Sequence, residues 1–370
     1  MRALRVLIVD DEEPARDRLR RMLESIGGVE VAAEAADGAE ALERIETERP
    51  DLVFLDIEMP GLSGIEVVKR LTPPRPRTVF CTAYDQYAVA AFDEDAADYL
   101  LKPVAQPRLA RAVSRVRRSV DEDDRLRQEV ADASRAQERL YPDQAPLLRS
   151  LELAGRCVPA REVGGDYYDF LGLGDGRVGV ALGDVCGKGV HAGLLMAGLQ
   201  ARVQSLAPRH GRQLAEFVHE LNRSLHSSVE SHRYATLFYS VYDESKGELS
   251  YVNAGHLPPI LVRAGAATRL ETLEASGTVI GLFPDGAWQQ RTTPLAPGDL
   301  LCAFTDGVTE ATDPAGVEFG ATRLSDLLSR LRDAPAASIC DAVLSTVDEF
   351  SAHAPASDDR TVIVARAHGA

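Results

Sequence analysis

Four places in the first third of the chain carry side chains suited to one reaction: the paired carboxylates Asp10-Asp11, the carboxylate Asp56, the hydroxyl of Thr82 and the ammonium of Lys102. A carboxylate that accepts a phosphoryl group needs a divalent cation to neutralise the incoming charge and a fixed ammonium to stabilise the product. Asp56, Asp10-Asp11 and Lys102 supply those three things. Farther along, four carboxylate clusters each flank an apolar run: Gly164-Gly165-Asp166 with Asp169, Gly183-Asp184, Thr305-Asp306-Gly307, and Ser357-Asp358-Asp359-Arg360-Thr361. An oxygen-only donor set suits Mg²⁺ or Mn²⁺, and no His/Cys group of zinc spacing competes with it. Two such ions about 3.5–4 Å apart can activate a bridging water and polarise a phosphate ester, so hydrolysis needs no protein nucleophile.

These side chains need elements to hold them. Residues 1 to about 103 alternate short apolar runs (Val6–Val9, Leu52–Leu55, Thr78–Cys81, Tyr99–Leu101) with helical patterns such as Ala15–Leu23 and Ala39–Glu46. That rhythm predicts an α/β domain with a doubly wound parallel sheet, whose chemistry sits beyond the C-terminal strand ends. Asp10-Asp11, Asp56, Thr82 and Lys102 all follow apolar runs at that edge. From Val104 to Leu140 glycine is absent, and apolar residues recur at Leu109, Val113, Val116 and Val120. The seam resumes out of phase, across Asp121 to Asp124, as Leu126, Val130, Ala133, Gln137 and Leu140. The spacing predicts a helical connector that either pairs with a second copy as a coiled coil, giving a homodimer, or lies as an amphipathic helix on its own domains. After Leu151 the pattern turns strand-rich, with helical stretches at Gly193–Leu206, Arg212–Ser227 and Arg323–Leu331, and this predicts an α+β sandwich flanked by helices.

Bulk properties narrow the partners. A chain of 370 residues is more than one core usually organises, so two domains are expected. A net charge of −16 disfavours nucleic acid as a partner, because attraction to phosphate rests on a basic surface. Cys81, Cys157, Cys186, Cys302 and Cys340 lack CxxC spacing and read as buried thiols in a reducing cytosol. No apolar run reaches the length of a membrane span or a signal peptide, so a cytoplasmic protein without membrane contact is expected.

The segments VLIVDDEEPARDRL, LDIEMPGLSG, CTAYDQYAVAAF and ADYLLKP resemble the receiver domain of response regulators, especially those of the LytTR type. The resemblance covers residues 1–120 and implies a five-stranded parallel sheet and a sensor histidine kinase or other phosphodonor as partner. It implies that Asp56 is phosphorylated and that Asp10, Asp11, Asp56 and the Glu58 backbone carbonyl hold Mg²⁺. Thr82 would contact the phosphoryl group, Lys102 would pair with it, and Tyr99 would be the switch aromatic. The competing reading, that Asp10-Asp11 merely cap the following helix, explains only one of these strand ends.

A second resemblance rests on CVPAREVGGDYYDF, GDVCGKGVHAGLLMA, ATLFYSVYD, YVNAGHLPPILV, GLFPD, FTDGVTEA and SDDRTVIVAR, which look like the PPM (PP2C-like) phosphatases of the sporulation and stress-sigma regulators. It covers residues 147–370, with the connector at 104–145. It implies a protein serine/threonine phosphatase using two Mn²⁺ or Mg²⁺ ions and acting on a phosphorylated STAS-type anti-sigma factor antagonist. Asp184 would bridge both metals, with the Val185 backbone carbonyl as a further ligand. Asp306 and Asp358 would complete the second metal, Asp166 would act on the first directly or through water, and Asp359 is a further candidate beside Asp358, which fits the ligand position better. Asp169 and Asp285 read as turn or cap residues, and His256 as a packing and hydrogen-bonding residue outside the catalytic set. Nothing is inferred from Cys186 or Lys188. The alternative function is a non-catalytic adaptor of the same fold that sequesters a regulatory protein, and the intact aspartate set argues against it. Control is expected to pass from Asp56 through the connector to the segment Val190–Leu199.

Overall fold

The computed structural model describes residues 2–83, 96–230, 232–265 and 269–369. Most of the CTAYDQYAVAAF motif lies outside the described residues. The chain divides into two compact units, Met1–Gln128 and Glu129–Ala370.

In the first unit β1 (Leu4–Val9), α1 (Glu13–Glu24), β2 (Val29–Ala35), α2 (Gly38–Glu48), β3 (Leu52–Leu55), α3 (Gly64–Arg70), β4 (Arg77–Thr82), β5 (Asp98–Leu101) and α4 (Gln106–Glu138) follow one another. The strands pair in parallel in the order β2-β1-β3-β4-β5, the doubly wound topology that the apolar runs predict. Alternation along the strands sends Val6, Ile8, Phe54 and Cys81 to one face, against Leu19 and Leu23 of α1 and Leu109, Val113 and Val116 of α4. Leu7, Val9, Leu55 and Phe80 go to the other, against Ala41 of α2 and Val67 of α3. Both faces are covered, which is why β3 reads as the uninterrupted run LVFL. Leu109, Val113 and Val116 are at most 1% exposed, so the first half of the predicted seam is spent in this unit's own core. Strand β2 is missing from the apolar runs because VEVAAEA is an edge strand with mostly half-buried side chains.

The second unit takes in the last residues of α4, then β6 (Leu151–Val158), β7 (Asp166–Gly174), β8 (Arg177–Val185), α5 (Val190–Leu206), α6 (Leu214–His226), β9 (Ala235–Asp243), β10 (Glu248–Ala254), β11 (Ile260–Arg263), β12 (Arg269–Thr272), β13 (Arg291–Pro294), β14 (Leu300–Phe304), α7 (Asp306–Thr309), α8 (Gly320–Leu331), α9 (Ala336–Phe350) and β15 (Arg360–Ala367). Two antiparallel sheets, β13-β10-β9-β8-β7 and β12-β11-β14-β15-β6, enclose a core of Tyr168, Leu182, Phe238, Leu301 and Ile363. Helices α5 and α6 cover the outer face of the first sheet, and α8 and α9 that of the second. This is the predicted helix-flanked sandwich. Three thiols, Cys81, Cys302 and Cys340, are buried as expected, whereas Cys157 and Cys186 are only partly so. No helix among the described residues is long and apolar enough to cross a membrane.

Candidate functional site

In the first unit the predicted residues converge at the C-terminal edge of the parallel sheet. Oxygens of Asp10, Asp11 and Asp56 lie within 4.8 Å of one another. Lys102, immediately after β5, sets Nζ 2.6 Å from Asp10 Oδ2 and also bonds Asp56 Oδ2. Burial pushes the Asp56 carboxyl up, opposed by the Lys102 hydrogen bond. Burial alone would pull the Lys102 ammonium down, but Asp10 and Asp56 outweigh it and hold it above its usual range. Three carboxylates facing one ammonium leave excess negative charge, which is the chemistry of a divalent cation site. Capping does not account for the pair: Glu12, not Asp10 or Asp11, occupies the N-cap of α1, and Asp10 contributes only an Oδ1 acceptor for the Glu12 N–H at 3.1 Å. Thr82 is fully buried at the end of β4, and Tyr99 lies half-buried in β5. The Glu58 N–H donates to Asp56 Oδ1 at 3.3 Å, so the Glu58 backbone stands beside the acceptor carboxylate.

In the second unit the site forms where strand ends of both sheets meet. Asp166 opens β7 and is the register partner of Asp184 near the end of β8. Asp306 follows β14, and Asp358-Asp359 precede β15, which pairs with β14. Burial pushes the Asp184 carboxyl up to about 7, with the charges of Asp306, Asp358 and Asp359 next. Asp306 is raised by burial and then by Asp358. These carboxylates are spread more widely than the Asp10 cluster, and it is shared repulsion that marks them as one site. Such a set of carboxylates fits a divalent cation.

Other placements revise the expectations. Asp359 Oδ1 accepts from Ala160 N at 2.8 Å, and its Oδ2 accepts from Gly165 N at 2.6 Å, so both oxygens staple the loop before β7. Asp169 is not a turn or cap residue: it is buried in β7, where its Oδ2 accepts from Gln204 Nε2 at 2.8 Å and from the Tyr167 hydroxyl at 3.3 Å. Asp285 is exposed in a loop, as expected. Lys188, from which nothing was inferred, donates to Ser357 O at 2.7 Å and reaches Asp358 Oδ2 at 2.8 Å. Two threonines went unassigned in the sequence: the hydroxyls of Thr305 and Thr361 donate to Asp166 Oδ2 at 2.7 and 2.5 Å. Both are fully buried and they tie the two sheets together at the site. The Val185 carbonyl faces Gly165, where an added Cβ would stand 2.9 Å from it.

Glycine at 307 is a packing necessity. An added Cβ would stand 2.1 Å from the Asp359 carbonyl oxygen, which is backbone and cannot step aside. Gly307→Ala is therefore expected to destabilise the second unit by about 2 kcal/mol or more and to displace Asp306. Trp288, the sole tryptophan, is buried in the second unit's core, so the denaturant midpoint of its fluorescence reads that loss directly.

His256 is the packing residue that the sequence suggested. The Thr236 hydroxyl donates to its Nδ1 at 2.8 Å, and its Nε2 donates to the Phe304 carbonyl at 3.1 Å. Full burial holds the imidazole down to about 4. An unfolded histidine titrates near 6.5, so the unfolded state takes up a proton that the folded state refuses. Stability from this group is complete above pH 6.5 and is lost as pH falls toward 4, by about 3 kcal/mol. His256→Gln, whose amide offers the same acceptor and donor, should lose less stability than wild type by roughly that amount between pH 7 and 4 on Trp288 denaturation curves. Parallel pH profiles would refute the assignment.

Comparison with known proteins agrees with this two-part fold. Residues 6–114 match the response regulator receiver domain, and residues 174–368 match the family Stage II sporulation protein E (SpoIIE). The chain belongs to the SpoIIE family. A receiver domain is thus joined to a PP2C-type phosphatase domain. The phosphoserine phosphatase RsbU of Bacillus subtilis is 28% identical over 307 residues, covering 81% of this chain and 84% of that protein. An uncharacterized response regulatory protein of Yersinia pestis is 49% identical over 118 residues, covering 32% of this chain and 50% of that protein. The chain spans about half the length of the first curated relatives it matches. The SiaA PP2C domain of Pseudomonas aeruginosa superposes with a TM-score of 0.60 at 22% identity, covering 66% of this chain and 98% of that one, and shows the fold.

Proposed function

We propose that this chain is a response regulator whose output is a metal-dependent protein serine/threonine phosphatase, controlled by phosphorylation at Asp56. The observation that carries the reading is the convergence of Asp166, Asp184, Asp306 and Asp358 where the ends of β7, β8, β14 and β15 meet, with the Asp184 carboxyl pushed up to about 7 by burial and by its neighbours. Divalent ions bound there would supply an activated water and polarise the phosphate ester. The chain's own residues keep the oxygens in place. Asp184, Asp306, Asp358 and the Val185 carbonyl are the proposed ligands. Asp166 would be a further ligand, its carboxylate fixed by the Thr305 and Thr361 hydroxyls on Oδ2. Asp359 acts chiefly by stapling the loop that carries Asp166, and Lys188 offsets part of the charge. In the receiver, Asp10, Asp11, Asp56 and the Glu58 carbonyl would hold one Mg²⁺, with Thr82, Lys102 and Tyr99 reading the phosphoryl group.

The proposed substrate is a phosphorylated STAS-type anti-sigma factor antagonist, and the proposed phosphodonor a sensor histidine kinase. The likeness to RsbU, a phosphoserine phosphatase, supports the substrate class. Mn²⁺-dependent release of phosphate from a phosphoserine STAS protein, abolished by EDTA and altered by beryllofluoride at Asp56, is the expected result. Metal binding without hydrolysis under any of these conditions would favour the sequestering adaptor instead.

A further inference from the structure

The predicted connector seam contains one polar residue, Gln137, between Ala133 and Leu140. A glutamine on an apolar stripe is costly unless both ends of its amide are bonded. Gln137 is 6% exposed, and both ends are used on the backbone N–H and C=O of a single residue. Its Nε2 donates to Gly164 O at 2.7 Å, and its Oε1 accepts from Gly164 N at 2.9 Å. Two residues on from Gly164 stands Asp166. The N–H groups of Gly165 and Asp166 both point at Asp359 Oδ2, at 2.6 and 3.4 Å, so Gly164 to Asp166 is one tethered stretch. Its far end is held from the same side: the Tyr141 hydroxyl donates to the Asp166 carbonyl at 2.9 Å, and the Tyr141 ring stacks on Tyr168 at 5.3 Å. Gly193 of α5 leaves room for the grip, since an added Cβ there would come within 2.3 Å of Val163 and 3.2 Å of Gln137 Nε2.

We propose that Gln137, aided by Tyr141, is a positioning residue of the phosphatase metal site, holding the Gly164 backbone on both sides of its Cα so that Asp166 keeps its place. A carboxamide at this reach is the side-chain chemistry that pairs with both backbone polar groups of one residue. Glutamate has no donor, asparagine is a methylene shorter, and methionine keeps the volume with neither bond. The residue acts through Asp166, so its loss should appear first in metal affinity, as it does for groups that orient ligands from behind. The inference rests on the metal-dependent reading above. It also assigns a contact through which the end of α4 bears on the metal loop, a route separate from the Val190–Leu199 segment.

The test uses the full-length chain carrying Gln137→Met, with Tyr141→Phe as the second variant, which keeps the ring stacking and removes only the hydroxyl. Three readouts are taken: Mn²⁺ binding by calorimetry together with the Mn²⁺ dependence of hydrolysis, hydrogen exchange of the peptide covering residues 160–168, and the Trp288 denaturation midpoint. Expected for Gln137→Met is Mn²⁺ affinity weaker by on the order of 10- to 100-fold, with kcat at saturating Mn²⁺ largely kept. Exchange should be faster in residues 160–168 than elsewhere, and Tyr141→Phe should shift both in the same direction by less. Unchanged Mn²⁺ affinity and exchange in a folded Gln137→Met chain would overturn the proposal. So would a general loss of protection with a lowered Trp288 midpoint in both variants, which would make the contacts structural only. Were wild type itself inactive, the phosphatase reading would fail, while calorimetry and exchange would still decide whether Gln137 positions the loop.

Discussion

Asp184→Asn is expected to fold, to lose Mn²⁺-dependent hydrolysis by on the order of 10³-fold, and to gain stability when divalent ions are withheld. The first effect follows from its place. Asp184 lies near the end of β8 opposite Asp166 and feels Asp306, Asp358 and Asp359 together, so it is the carboxylate common to the whole set. Metal-borne charge stabilisation is worth several kcal/mol, and each 1.36 kcal/mol is a tenfold change in rate. The second effect follows from the same crowding. A carboxyl pushed up to about 7 by burial and like charges is a cost the metal-free fold carries at pH 8. Replacing it with a neutral amide of equal size removes that cost, and about 1–3 kcal/mol should appear in the Trp288 midpoint in EDTA. Added Mn²⁺ should stabilise wild type strongly and the variant little. Full activity in the variant would sink the ligand assignment. A loss of activity together with a lower EDTA midpoint would show that Asp184 supports the fold and not the metal.

The receiver half was legible because its chemistry is local to strand ends. In a parallel sheet every C-terminal strand end faces the same edge, so finding Asp10-Asp11, Asp56, Thr82 and Lys102 after apolar runs suffices to predict that they meet, and Asp10, Asp11 and Asp56 do. The second unit obeyed no such rule. Its site joins the ends of strands from two antiparallel sheets, and the hydroxyls that fix Asp166 come from Thr305 and Thr361, which are 139 and 195 residues away in sequence. Nothing in the local pattern of TDG or DDRT distinguishes a hydroxyl aimed at Asp166 from one aimed at water.

Elements that the sequence reading misassigned or passed over have the same origin. The segment DYYDFLGLG reads as a carboxylate cluster yet forms β7, with Asp169 turned inward to Gln204. Helix α9, AASICDAVLSTVDEF, is rich in Ser, Thr and β-branched residues that favour helix weakly. It is helical because Ile339, Cys340, Val343 and Val347 form one buried stripe against the second sheet, a gain from tertiary packing that propensity does not register. The seam of α4 has two readings in the sequence, and the structure shows what part of it packs against. Its periodicity is real, but Leu109, Val113 and Val116 are buried in the receiver core and Gln137 is bound to Gly164. Leu126, 60% exposed, is the seam residue left to solvent in the single chain.

Asp56→Asn should take up no phosphoryl group from acetyl phosphate and should leave hydrolysis by the phosphatase domain blind to beryllofluoride. The amide keeps the shape of the acceptor but has no anionic oxygen to attack phosphorus, so the loss is all-or-none and is read as the absence of the phosphorylated mass. Stability should move little. Burial already penalises the charged Asp56 carboxylate, and Lys102 keeps its 2.6 Å pair with Asp10 when the charge at position 56 is gone. Lys102→Ala provides the contrast. It leaves Asp10, Asp11 and Asp56 facing one another with no ammonium among them, and the cost of unpaired buried charge, discounted for partial exposure, is about 2–3 kcal/mol. Calorimetry without Mg²⁺ should therefore show the receiver transition near its wild-type position in Asp56→Asn and clearly lowered in Lys102→Ala, with Mg²⁺ recovering most of the difference by taking the ammonium's place among the carboxylates. Equal destabilisation by both substitutions would mean that the Asp56–Lys102 pair itself, and not the compensation of the whole carboxylate set, holds this edge of the sheet together.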